Sequence, residues 1–151
     1  MKIALAADHA GYPLKRALHL FLEERGHSVI NLGTDSEDPV DYPDYAAAVA
    51  KAVSRGDAER GVVVCGSGVG ACVAANKVRG VRAGLCHDTF SARQGVEDDD
   101  VNVLCLGARV IGPKLALEVL KAWLEARFSN EERHLRRLRK VQALETEQRR
   151  G

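Results

Sequence analysis

The sequence predicts a Rossmann-like α/β protein: a three-layer αβα sandwich on a five-stranded parallel sheet. Three observations carry this. Short apolar runs alternate with amphipathic helical patterns, each run is bounded by Gly, Asp or Asn, and the links are short. Such alternation implies right-handed crossovers and a parallel sheet covered by helices on both faces.

The elements follow in order. Ile3 to Ala7 is an uninterrupted apolar run and reads as the first strand, buried on both faces. Leu14, Ala17, Leu18, Phe21 and Leu22 recur at helical spacing, and Gly26 falls where a C-terminal cap belongs. Ser28 to Leu32 supplies a second strand of the same kind. Asp41, Pro43 and Asp44 start a helix running through Ala46 to Val53. Val62 to Cys65 is a third strand, and Gly68-Val69-Gly70 opens a helix that continues through Ala75. Ala83 to Cys86 and Val103 to Leu106 complete the five strands. Pro113 begins a further helix with Leu117, Leu120, Leu124 and Phe128 on one side. The last helix follows Asn130, over about residues 130–148. Its narrow stripe of Leu135, Leu138, Val141 and Leu144 suggests docking on the domain or on a partner subunit.

A chain of 151 residues fits one domain, 1–151, with a sizeable core. Lys plus Arg number 22 against 21 Asp plus Glu, so no global field favours nucleic acid or a membrane surface. The first apolar run is cut off at Asp8 and is too short for a signal peptide, and no stretch approaches membrane-spanning length. Cys65, Cys72, Cys86 and Cys105 show no Cys-x-x-Cys or zinc spacing. A reduced, cytoplasmic setting is therefore expected.

Ligands of such sheets bind beyond the carboxyl ends of the strands. That directs attention to Asp8-His9, Gly33-Thr34, Cys65-Gly66-Ser67, His87-Asp88 and Gly107 to Arg109. The sharpest signal is Cys65-Gly66-Ser67-Gly68-Val69-Gly70. Its glycines let backbone N–H groups converge on an anion at a helix start, and that positive end favours a thiolate at Cys65. A glycine-rich turn carrying an inert buried cysteine fits the same residues. So does a dinucleotide fingerprint, Gly66 to Ala71, although that match follows the third strand rather than the first.

The remaining candidates each have a plainer reading. Asp8 and His9 suit sugar hydroxyls or proton shuttling, or a helix cap beside an incidental histidine. Arg133-His134 and Arg137 place two guanidinium groups one helical turn apart, a fork for phosphate or simply a solvated basic face. Glu97 to Asp100 suggests a hard-metal site, but consecutive carboxylates do not share one face, so a solvated loop is expected. His87-Asp88 reads as catalytic or as a strand end and a cap. Cys72, Cys86 and Cys105 read as core residues, and His19 and His27 as surface positions.

Together the segments resemble the ribose-5-phosphate isomerase B family, which also includes allose-6-phosphate and galactose-6-phosphate isomerases. The motifs are Asp8-His-Ala-Gly11, Val40-Asp-Tyr-Pro43, Cys65-Gly-Ser-Gly-Val-Gly70, Ala74-Ala-Asn-Lys77, Asn102-Val-Leu104, Gly107-Ala-Arg109 and Arg133-His134, in family order over nearly the whole chain. The resemblance implies interconversion of ribose 5-phosphate and ribulose 5-phosphate through an enediolate, in pentose phosphate metabolism, with no cofactor and no metal. It casts Cys65 as the base and the amides of Gly66, Ser67, Gly68, Val69 and Gly70, with the Ser67 hydroxyl, as the anion hole. Asp8, His9 and Tyr42 match the sugar end. Arg133 and Arg137, beside His134, match phosphate ligands, joined by Arg109 from the partner subunit. The implied assembly is a homodimer with shared sites, with a tetramer as the alternative.

The sequence departs from the family at one place. Asp98 stands where a histidine commonly opens the sugar ring, and Asp99 where a partner-contributed asparagine is usual. Asp98 acts as the ring-opening acid if burial or its neighbours raise its pKa. Otherwise His9, His87 or His134 takes that part, or the substrate is already open-chain. Another aldose phosphate, such as allose or galactose 6-phosphate, is the alternative substrate. A nucleotide-binding module and a non-catalytic sugar-phosphate sensor are the other classes.

Overall fold

The structure, a computed structural model, describes residues 1–150, with side chains described through residue 147; Gly151 of the expected 1–151 domain lies outside them. The strands are β1 (Lys2–Ala7), β2 (Ser28–Asn31), β3 (Arg60–Cys65), β4 (Ala83–Leu85) and β5 (Val103–Gly107). The helices are α1 (Tyr12–Glu24), α2 (Tyr42–Ser54), α3 (Val69–Ala75), α4 (Thr89–Asp99), α5 (Pro113–Glu125) and α6 (Glu132–Arg150). All pairings are parallel, in the order β2-β1-β3-β5-β4.

Strand periodicity sorts the core into two layers. Ile3, Leu5, Val62, Val64, Leu104 and Leu106 pack with Leu14, Leu18 and Leu22 of α1, Ala92 and Val96 of α4, and Leu120 and Trp123 of α5. The alternate residues Ala4, Ala6, Val63, Cys65 and Cys105 turn the other way, against Ala46, Val49 and Ala50 of α2 and Ala71 and Ala75 of α3. This is the expected three-layer sandwich.

Several local expectations change. β2 and β4 are partly exposed rather than buried on both faces, because they are the sheet edges. Leu32 and Cys86 fall just outside them, although Leu32 N–H still donates to the Leu5 carbonyl at 2.9 Å. Gly26 has φ 83° and follows α1, as a left-handed cap should. Asp41 is the N-cap of α2. α5 stops at Glu125, so Phe128 is not on it.

Helix α4 is the element that sequence reading missed. Its buried stripe is only Ala92 and Val96, with Gly95 between, too weak a pattern to announce a helix. Asp88 caps it, accepting the Ser91 N–H at 2.6 Å. Glu97 to Asp99 are thus its last turn rather than a solvated loop, and Asp100 ends it in the left-handed conformation at φ 51°. Along α6, Leu138 is buried on this chain, whereas Val141 and Leu144 remain exposed.

Candidate active site

The strand order places β1 and β3 side by side at the point where successive connections run to opposite sides, leaving a crevice beyond their carboxyl ends. Asp8 leaves β1 there and Cys65 ends β3. Asp8, Tyr42, Cys65, Gly66, Ser67, Gly70, Arg109 and Val110 line one open pocket of about 310 Å³.

The glycine loop is shaped by what it must fit. Gly68 has φ 80°, and a Cβ there would lie 2.6 Å from Leu85 Cδ1 and 2.9 Å from the Leu106 carbonyl carbon. A Cβ on Gly70 would stand 2.6–2.9 Å from the ring of Tyr42, so the missing side chain is what lets that ring cover the loop. Gly66 leaves room for the Arg109 guanidinium, whose Nη1 is 3.2 Å from where a Cβ would be. The turn after β5 is tied to the same loop: Ala108 N–H donates to the Cys65 carbonyl at 2.9 Å and Arg109 N–H to the Gly66 carbonyl at 3.0 Å.

Within this frame Cys65 is 4% exposed, and its Sγ accepts the Gly68 N–H at 3.1 Å. Ser67 Oγ accepts the Val69 N–H, also at 3.1 Å. Two amides of the expected anion hole are therefore spent inside the loop. The amides of Ser67 and Gly70 have no acceptor among the described residues, and both residues line the pocket. Because α3 spans only seven residues, local amides rather than a long helix dipole supply the positive potential. Asp8 is buried and accepts the Gly11 N–H at 3.0 Å through Oδ1, closing the turn before α1, although the N-cap of that helix is Gly11 and not Asp8. His9 accepts the Val40 N–H at Nδ1, 3.1 Å, which leaves Nε2 for other partners.

The other expected site residues stand elsewhere on the chain. Asp98, Asp99, Arg133, His134 and Arg137 do not line the Cys65 pocket. His134 is 6% exposed; its Nδ1 meets Ser129 Oγ at 2.5 Å and its Nε2 lies 3.4 Å from Asp98 Oδ1, pinning α6 to α4. Arg133 pairs with Glu131 at 3.0 Å, while Arg137 is exposed. Arg109, expected from a partner, shares the pocket with Cys65 of its own chain. Asp99 borders a separate apolar groove of about 380 Å³ beneath Leu138, Val141 and Leu144. No group of three or more His, Cys, Asp or Glu is arranged to hold a metal among the described residues.

Charge perturbation alone would have pointed elsewhere. The Cys72 thiol is lowered to about 7 by a hydrogen bond from Cys105, whose own thiol is pushed up by the same contact and by burial. Cys72 is half-buried, its Sγ faces the Ala83 carbonyl at 3.5 Å and it does not line the pocket, so this shift belongs to its Cys105 neighbour and not to the site. Cys86 is raised to about 11 by burial, as suits a core residue. Sequence reading also missed Lys15, buried on α1, whose Nζ donates to Asn31 Oδ1 at 2.8 Å, the Thr34 carbonyl at 2.6 Å and Asp35 Oδ1 at 3.2 Å. Its place on the inner face of a helix gave the signal: a lysine at a core position.

The sequence profile of the Ribose/Galactose Isomerase family matches residues 3–141. The chain belongs to this family. Ribose-5-phosphate isomerase B of Escherichia coli is 44% identical to this isomerase over 144 residues, 95% of this chain and 96% of its own length. D-erythrulose-4-phosphate isomerase of Pectobacterium atrosepticum is 44% identical over 130 residues, 85% of each chain. The solved ribose-5-phosphate isomerase B of Clostridium thermocellum superposes with a TM-score of 0.95 at 46% identity, covering 97% of this chain and 99% of that one. The chain is accordingly an aldose–ketose isomerase of phosphorylated sugars, an intramolecular oxidoreductase. No helix among its described residues is long and apolar enough to cross a membrane.

Proposed function

We propose that this isomerase interconverts ribose 5-phosphate and ribulose 5-phosphate, with Cys65 moving the proton between C1 and C2. The observation that carries this is the Cys65 sulfur beside the pocket shared by Asp8, Ser67 and Arg109, with the Gly68 amide donating to it. The Cys65 thiolate takes the proton from C2 of the open-chain aldose. The C2–H electron pair becomes the C1–C2 double bond, and the carbonyl oxygen becomes an enediolate oxygen. The Ser67 and Gly70 amides stabilise that charge, the O2 hydroxyl proton passes to O1, and Cys65 returns its proton to C1, leaving the C2 ketone. Asp8 and His9 hold the sugar hydroxyls, Tyr42 covers them, and Arg109 takes part of the phosphate charge.

Arg133 and Arg137 complete the phosphate site from a second chain, as do Asp98 and Asp99 near the sugar, so the working unit is a homodimer or a multiple of it. The exposed Val141 and Leu144 fit α6 to that contact. Cytoplasmic placement agrees with four free cysteines. The test is isomerisation of ribose 5-phosphate in chelated buffer. Cys65→Ala should lose roughly 10²–10⁴-fold in kcat, the range of general acid–base catalysis. A variant as active as the parent removes Cys65 as base.

A second reading is favoured by Asp98. An aldopentose 5-phosphate must open its furanose ring before enolisation, whereas a tetrose 4-phosphate cannot form that ring because its O4 is esterified. His134 already engages Asp98, a poor arrangement for protonating a ring oxygen. A D-erythrulose 4-phosphate substrate, as the name of the Pectobacterium relative states for that protein, needs no such acid. Comparing kcat/KM for the two sugars separates the readings.

A further inference from the structure

We propose that His87 is a positioning residue for the active site: its unprotonated Nε2 accepts the Gly107 amide and so holds the turn that carries Arg109 against the Cys65 loop. The proposal rests on the isomerase reading of that pocket. The need for such a residue follows from the sheet. β4 ends at Leu85 while β5 runs on to Gly107, so the last amides of β5 outrun their neighbour. Cys86 N–H still reaches the Cys105 carbonyl at 3.4 Å, but no strand carbonyl is left for Gly107. The imidazole takes that place, with Gly107 N–H to His87 Nε2 at 2.9 Å.

Gly107 is a sensitive place to hold. It pairs with Cys65 across β3 and β5. A Cβ on it would overlap the Ser67 carbonyl, and a Cβ on Gly68 would come within 3.0 Å of its nitrogen. The next two amides bind the carbonyls of Cys65 and Gly66. A shift of Gly107 therefore passes directly to Cys65, Ser67 and Arg109 without His87 touching the substrate.

The contact also fixes the chemistry of the ring. An imidazole that accepts at Nε2 must be neutral and carry its proton on Nδ1. Protonation would set an N–H against the Gly107 N–H and abolish the bond. On β4, β5 and the turns that follow them the other titratable or charged side chains are Cys86, Asp88, Cys105 and Arg109, and of these Asp88 acts on the charge of the ring. Burial lowers the His87 pKa below 6.5, and Asp88 opposes that in part. The carboxylate of Asp88 is itself occupied by the Ser91 amide. The neutral ring is thus the folded form, and its contribution is lost as pH falls through the lowered value.

The experiment combines imidazole and amide 15N spectra of the full chain with kinetics. At neutral pH, Nε2 of His87 should be unprotonated, and on acidification the Gly107 amide should shift with the ring. His87→Gln retains an acceptor that does not titrate; it should keep kcat/KM within a few-fold and lose the His87 part of the acid limb. His87→Phe retains bulk without the acceptor; it should lose about tenfold in kcat/KM, the worth of one hydrogen bond, mainly through KM. A protonated Nε2 at neutral pH, a Gly107 amide indifferent to ring titration, or parental kinetics in His87→Phe would each overturn the proposal. If the parent does not turn over ribose 5-phosphate, the substrate reading fails separately. The Ser67 and Arg109 amides of His87→Phe then decide: displaced resonances support positioning, and unchanged ones overturn it.

Discussion

Single residues set the shape of the pocket, and glycines do so by what they omit. The ring of Tyr42 stands only 2.6–2.9 Å from where a Cβ on Gly70 would be, so Gly70→Ala must push the ring off the loop. The backbone at Gly70 is ordinary, so the fold should survive. The expected result is a raised KM for the sugar phosphate with a near-parental melting temperature. Gly68→Ala is different, because φ 80° and close contacts with Leu85 and Leu106 act together. It should cost about 1–3 kcal/mol in urea unfolding and also displace the amide that meets Cys65. At position 98 the two substrate readings diverge. Asp98→His should raise kcat/KM for ribose 5-phosphate and leave that for erythrose 4-phosphate unchanged if ring opening is what the aspartate fails to supply. No gain with the pentose phosphate would sink that explanation.

At the scale of elements, the loop from β2 to α2 delivers both Val40, which holds His9, and Tyr42. Lys15 anchors its start from α1, joining Asn31, the Thr34 carbonyl and Asp35. Lys15→Met should cost about 1–3 kcal/mol by leaving the buried Thr34 carbonyl unpaired, read by denaturant unfolding. The Lys15 ammonium hydrogen-bonds Asp35 and holds its carboxyl below the ordinary 3.8. A carboxylate depressed by folding adds stability above its unfolded value and loses it as pH falls through the lowered folded value. Asp35→Asn should therefore flatten the loss of stability below pH 3.8. The effect will be small because Asp35 is largely exposed. The capping pair Asp88–Ser91 and the His134–Asp98 contact play similar anchoring parts for α4 and α6.

For the whole molecule, the basic face of α6 and the glycine loop stand apart on one chain, and the proposed site joins them across two. That arrangement has a direct consequence in mixed populations. Cys65→Ala and Arg137→Ala chains should each be weak alone. In a mixed dimer both lesions fall in one site and the other site is intact. Equal mixing after unfolding and refolding should recover about a quarter of parental activity, since half the dimers carry one good site of two. No recovery would mean that Arg137 serves the pocket of its own chain or none.

Much of this protein is legible in its sequence because the signals are local. Alternating apolar runs and helical stripes fix five strands in a parallel sandwich, and strand ends followed by Cys65-Gly-Ser-Gly-Val-Gly70 or Asp8-His9 mark where chemistry gathers. The family follows from the order of those motifs. What the sequence leaves open depends on contacts between segments far apart in the chain. α4 hides because only Ala92 and Val96 of it are buried, and its stability comes from packing and the Asp88 cap rather than from periodicity. The choice between catalyst, cap and incidental side chain is likewise tertiary. Asp8 both closes the turn before α1 and faces the pocket, and His87 accepts an amide twenty residues away. His134 is buried against Asp98 instead of facing solvent. The physical reason is that secondary structure responds to neighbours within a few residues, whereas a side chain's role is set by whatever donor, acceptor or charge the folded chain places within about 3 Å of it.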